Sequence, residues 1–121
     1  MERESAKSFK DLIVWQKAHQ IVLGIYKFTD KFPAKETYCL LPQLRRAAIS
    51  VPANIAEGFK KKGKPDKVRF LNIAQGSLEE VKYYLILAAD LGYGNSENLI
   101  NELDIVSKML EAYMSTIRKS I

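Results

Sequence analysis

Gln43 to Gly63 reads Q-L-R-R-A-A-I-S-V-P-A-N-I-A-E-G-F-K-K-K-G. Leu41, Leu44, Ala48, Val51, Ile55 and Phe59 recur there at spacings of three and four. That spacing gathers apolar side chains on one face of an α-helix and does not fit the period of two of a strand. The helical pattern runs over about Glu36–Phe59. Pro52 stands inside it. A proline there lacks the N–H that would bond the Ala48 carbonyl, and its ring crowds that carbonyl. The expectation is a kink at Pro52, or two shorter helices joined at Ser50–Pro52. Asn54 is placed to bond a carbonyl so released. Opposite the apolar stripe stand Arg46, Ser50, Ala53 and Glu57. Two of these are small, which admits close approach of another backbone.

Working outward, the same period recurs three more times. Asp11–Phe32 carries Val14, Ala18, Ile21, Ile25, Phe28 and Phe32, widened by Trp15, Val22 and Tyr26. Asp11 suits an N-cap or first-turn acid, and Phe32-Pro33 is expected to end the helix. Pro65–Leu91 carries two neighbouring stripes. One is Leu71, Ala74, Leu78, Val81, Leu85 and Ala88; the other is Phe70, Ile73, Ser77, Tyr84, Leu87 and Leu91. Two stripes cover more surface than one neighbour needs, so this helix sits deep or meets a second subunit. Pro65 fits a first helical position and Gly92 a C-cap. Ser96–Lys119 carries Leu99, Leu103, Val106, Leu110, Tyr113 and Ile117, with Asn95 or Ser96 as cap and Arg118 and Lys119 in the last turn. Four helices with short connections predict an all-α, up-down-up-down antiparallel four-helix bundle. One domain is expected over residues 1–121, with its core at about 11–119.

Composition bounds the chemistry. Of the 121 residues, 47% are hydrophobic and 27% charged, a globular balance. The single cysteine, Cys39, leaves no internal disulfide and no multi-cysteine zinc site. No apolar run approaches the ~20 residues of a membrane span, and the charged start lacks the apolar stretch of a signal peptide. A cytoplasmic protein with no membrane partner is expected. The net charge of +5 is unevenly spread. Residues 31–69 hold ten Lys/Arg against three Asp/Glu, whereas residues 70–121 hold four against seven. A localised basic excess is the footprint of a polyanion binder, and equally of a solvated loop.

The ordered motifs F-K-D-L-I-V-W-Q-K-A, Q-L-R-R-A-A-I-S-V-P-A-N-I-A-E-G, R-F-L-N-I-A-Q-G-S-L-E-E and A-A-D-L-G-Y resemble the four helix bundle protein family. That family includes bacterial proteins encoded within intervening sequences of 23S ribosomal RNA genes. It is related to the accessory variability protein of diversity-generating retroelements. The resemblance covers residues 9–93 most closely. It implies a small bundle assembling as a ring-like homopentamer. It also implies a basic surface that, in the retroelement relatives, binds nucleic acid and a reverse transcriptase. It implies no established enzymatic activity.

Arg45, Arg46, Lys60, Lys61, Lys62, Lys64, Lys67 and Arg69 are the candidate phosphate contacts for RNA or DNA. Most are lysines, suited to point-charge contact rather than base reading. Phe59 and Phe70 flank the run and fit the apolar stripes as core. Arg46, Ser50, Ala53, Glu57, Ile73, Tyr84 and Leu87 are the candidate oligomer interface. Catalytic signals are weak. His19 is the sole histidine, so the Glu-x-x-His pairs of a di-metal bundle are missing, and no cofactor or metal is expected. A Cys39–His19 nucleophile pair needs the two joined across the first loop, with nothing but general positive charge to activate the thiol. Glu79 and Glu80 are adjacent and point to different sides of their helix. The reading is a non-enzymatic oligomer that binds nucleic acid through its basic surface. The alternative is a protein-interaction scaffold with no nucleic-acid role.

Overall fold

The computed structural model describes residues 6–120. The first five residues, part of the charged start, lie outside them. Four helices follow in order: α1, Ile13–Thr29; α2, Leu40–Lys60; α3, Lys64–Asp90; and α4, Glu97–Lys119. Short 3-10 turns at Phe9–Asp11 and Ala34–Glu36 precede α1 and α2. No strand occurs among the described residues. Each helix packs on its neighbours in sequence, and α4 returns to α1, closing the ring of a four-helix bundle. Cross-links fix the directions. Arg45 near the start of α2 bonds Thr29 at the end of α1. Ser50 bonds Ser77 between α2 and α3 at 2.8 Å. Gln75 bonds Ser107, and Lys82 bonds Asp104, between α3 and α4. Neighbours are therefore antiparallel.

The stripes form the core. Val14, Ala18, Ile21 and Ile25 of α1, Leu44, Ala48, Val51 and Ile55 of α2, and Leu103, Val106, Leu110 and Ile117 of α4 are buried. So is the whole first stripe of α3, from Leu71 to Ala88. Each fully buried Leu or Ile contributes about 1.5–3 kcal/mol over its exposed state. The second α3 stripe stays outside the core's buried set: Ile73 and Leu91 are exposed, and Ser77, Tyr84 and Leu87 half-buried.

Several boundaries move, each for a local reason. Asp11 does not cap α1. Its carboxylate accepts from the Lys7 and Ser8 backbone N–H groups, making a capping box with Ser8 around the first 3-10 turn, and Leu12 precedes α1. The first helix ends at Thr29 rather than Phe32. Thr29 donates its hydroxyl back to the Ile25 carbonyl at 2.8 Å, and Phe32 then turns into the core. Tyr26, expected to widen the apolar stripe, is exposed beneath the Arg45 guanidinium, 4.3 Å from its ring centre. Helix α2 begins at Leu40 rather than Glu36, because Glu36 caps it: its Oε1 accepts from the Leu40 N–H at 3.2 Å. It then runs unbroken through Pro52, so it is one helix and not two. Asn54 bonds the carbonyl and hydroxyl of Ser50, not the Ala48 carbonyl that Pro52 leaves without a partner N–H. Ser96 holds the N-cap position of α4 but spends its hydroxyl on the buried Leu85 carbonyl, while Asn95, one residue earlier, accepts from the Glu97 N–H.

The end of α3 matches its reading. Gly92 at φ +83° takes the left-handed cap, and Gly92 and Tyr93 donate to the Ala89 and Ala88 carbonyls. That cap aims Tyr93 at the first connection, where its hydroxyl donates to Glu36 Oε2 at 2.6 Å. The bond from Tyr93, with the Leu40 N–H second, holds the Glu36 carboxyl below its ordinary range. The same bond, with burial second, raises the Tyr93 hydroxyl above its own. The lowered carboxyl contributes stability that is present above the unfolded value of ~4.3 and lost as pH falls through the folded value. The raised phenol contributes stability that is present below its unfolded value of ~10 and lost as pH rises through the folded one. Urea unfolding of Tyr93→Phe should accordingly show a smaller loss of stability between about pH 5 and pH 3 than the parent. An unchanged acid profile would mean that Glu36 owes its low value to the α2 cap alone.

Candidate nucleic-acid interface

Antiparallel order puts the ends of α2 and α4 beside the starts of α1 and α3. The contact of Lys64 Nζ with the Ser120 carbonyl marks this junction directly. The basic run Lys60–Arg69 thus shares one end of the bundle with Lys7, Lys10, Arg118 and Lys119. These four lie far from the run in sequence and are not among the candidate contacts read from it. The alternation of an up-down bundle was the signal that could have found them. Among the described residues, Asp11, Glu57, Asp66 and Glu111 are acids of the same end. Cations at the closing turns of α2 and α4 sit at negative helix ends, which lowers their mutual repulsion. The start of α3 has no side-chain cap and adds its positive dipole end to the same surface.

The eight candidate phosphate contacts divide by the work they already do. Arg45 is not a free flank residue. It donates to Thr29 Oγ1 at 2.8 Å, to the Tyr26 carbonyl and to Asp30 Oδ1, at the opposite end of the bundle. It ties α1 to α2 and drops out of the basic end. Arg46 is also remote, exposed at a cleft shared with Tyr84 and Leu87. Lys67 folds back on α2, donating to the Phe59 carbonyl at 2.7 Å and the Gly58 carbonyl at 3.4 Å. It thereby satisfies carbonyls of the last turn, which a helix cannot satisfy itself. Burial there pushes the Lys67 amine below its ordinary value. Lys64 holds the Ser120 carbonyl. Lys61 stands 3.9 Å from Glu57. Lys60 and Lys62 are exposed with no partner among the described residues.

Gly58 controls this corner. A Cβ on it would meet the Phe70 Cβ at 3.2 Å and the Lys67 carbonyl at 3.3 Å. Its lack of a side chain lets the start of α3 close on the end of α2. Phe70 consequently does not enter the core. It is half-buried, with the Arg69 guanidinium 4.6 Å and the Lys61 amine 5.0 Å from its ring centre. Phe59 is half-buried against the core under Lys67, 5.6 Å away. Aromatics and cations that look segregated in sequence are therefore interleaved in space.

The candidate oligomer residues mostly share a face of α2 and α3. Ser50, however, spends its hydroxyl on Ser77 inside the chain. The small residues of α2 therefore serve the α2–α3 approach first. The Ser50–Ser77 register sets Ala53 about level with Ile73, both exposed. Glu57 lies further along, beside Lys61. The enzyme readings find no assembly. Cys39 is exposed before α2, whereas His19 stacks on Trp15 at 5.1 Å, ten residues before the end of α1, or ~15 Å along the helix. Glu79 stands near Lys82, and Glu80 accepts from the Tyr84 hydroxyl. No helix among the described residues is long and apolar enough to cross a membrane.

The comparisons with known proteins agree with this architecture. The family described as 23S rRNA-intervening sequence protein matches residues 10–112. Among solved structures, the chain is similar to a protein of unknown function from the S23 ribosomal protein family of Bacteroides thetaiotaomicron. The two are 25% identical, with a TM-score of 0.76 over 84% of this chain and 98% of that one. No curated protein matches.

The division of labour among the lysines is measurable. Lys67→Met should lower unfolding stability by about 1 kcal/mol, as expected for lost bonds to helix-end carbonyls. Lys62→Met should stay within about 0.5 kcal/mol of the parent. Equal effects in urea titrations would remove the capping role assigned to Lys67.

Proposed function

We propose that this chain, which belongs to the 23S rRNA-intervening sequence protein family, is a non-enzymatic, oligomeric nucleic-acid-binding protein that engages phosphates with the basic end of its bundle. The observation that carries this reading is the gathering of Lys7, Lys10, Lys60, Lys62 and Lys119 on one end, exposed and with side-chain amines that have no partner among the described residues. Phosphate contacts need cations that are not already committed, and these lysines meet that need. Lysines supply affinity without sequence choice, so RNA and DNA are both in range.

Binding of labelled RNA and DNA should weaken steeply between about 50 and 200 mM salt. Changing Lys60, Lys62 and Lys119 together to Gln should flatten the slope of log K against log salt by about 2. Salt-insensitive or absent binding by the intact protein would overturn the reading.

Assembly as a homopentamer through the α2–α3 face is the second part of the proposal. Ile49 and Ile73 are 44% and 42% exposed on that face, beside Ala53, and would be covered by such a contact. The same face would serve a protein-interaction scaffold with no nucleic-acid role. Ala53→Glu should reduce the mass seen by light scattering while leaving helicity intact, because Ala53 is exposed within the chain. An unchanged mass would move the interface elsewhere. Ser50→Glu is a poorer probe, since it would break the bond to Ser77 within the chain.

A further inference from the structure

We propose that Arg69 and Phe70 form a stacking platform for an unpaired nucleobase, so that the basic end takes single-stranded in preference to duplex nucleic acid. This deepens the phosphate-binding reading and rests on it. Phe70 is half-buried and lies outside the apolar cluster that fills the bundle. Its position is set from below, where its Cβ packs on Gly58. Its ring carries the Arg69 guanidinium at 4.6 Å. That guanidinium is held in turn, with Nε and Nη2 both donating to Asp66 Oδ1 at 3.2 Å. The Arg69 side chain is still 60% exposed. A flat, weakly hydrated cation is thus fixed over an aromatic ring and open to solvent. This is the surface on which a nucleobase stacks.

The neighbours supply the rest of a single-strand site. Lys60 and Lys62 stand exposed at the same corner for the flanking phosphates. In a duplex the faces of the bases are closed by their own stacking, so this platform offers it nothing beyond charge. Reading a duplex by its base edges would call for an uncommitted guanidinium fork at this end. Arg69 has already given its fork to Asp66, Arg118 of α4 is paired with Glu111 at 3.8 Å, and Arg45 and Arg46 lie away from this corner. The remaining cations here are mainly lysines. The chemistry on display therefore favours stacking plus point charge.

The test uses three labelled probes of equal length: an adenine-rich RNA strand, an abasic strand with the same phosphates, and a duplex. The intact protein should bind the RNA strand about tenfold more tightly than the abasic strand. Phe70→Leu and Arg69→Lys should each remove most of that difference, with abasic binding and the salt slope unchanged. Arg69→Lys keeps the charge and is exposed, so it reports on stacking even if Phe70→Leu perturbs folding, which circular dichroism would reveal. Equal binding of the RNA and abasic strands, or preference for the duplex, would overturn the platform and leave the phosphate surface standing. No binding of any probe would overturn the phosphate reading, and the platform with it.

Discussion

The close approach of α2 to α3 is the constraint on which the rest of this bundle depends. It is the most extensive helix contact in the molecule, and small residues line it. Ala47 and Ala48 of α2 and Ala74 of α3 are buried, Ser50 meets Ser77, and Gly58 lies under the Phe70 Cβ. Small side chains let helix axes come nearer and make the register sensitive to each contact. Two helices that close together can be joined by a short turn, and three residues, 61–63, suffice here. That economy crowds lysines onto the bundle end. It also brings Lys67 within reach of the α2 carbonyls. A bulkier residue at Gly58 would open the corner and separate Arg69 and Phe70 from Lys61.

The four helices were legible because their signal is local and repeated. Positions three and four apart must share a face, so Leu71 to Ala88 announces a buried stripe wherever the helix sits. The boundaries were less legible because distant side chains decide them. Glu36 leaves the helix and caps it, and the Tyr93 that fixes it is 57 residues away. Pro52 illustrates the same limit in reverse. Intrinsic preference argues for a break, but Val51 and Ile55 on either side are anchored in the core, and tertiary packing carries the helix through.

The site was legible as a charge excess and not as an arrangement. Arg45 and Lys67 look like their neighbours in sequence, yet one ties α1 to α2 and the other closes a helix end. Both pairings depend on chain direction, which a charge count does not contain. Phe70 was assigned to the core because it falls on a helical stripe. Its stripe, however, is the second of α3: the Phe70 Cβ meets Gly58 of α2, but its ring stays outside the apolar cluster. Cations cover it instead. Stripe membership predicts which residues share a face; it does not say where along the helix the partner begins.

The two kinds of cation give this end of the bundle a definite physical character. Lys64, Lys67 and Arg69 are spent on backbone carbonyls and on Asp66, so they stiffen the corner whatever is bound. Lys60, Lys62 and Lys119 have no such partner among the described residues. Their mutual repulsion is eased by the negative ends of α2 and α4. On the proposed reading, a polyanion arriving there would replace loose counterions without breaking an internal bond. Such binding would cost little reorganisation, because the groups that hold the fold together and the groups left for the proposed ligand are different residues.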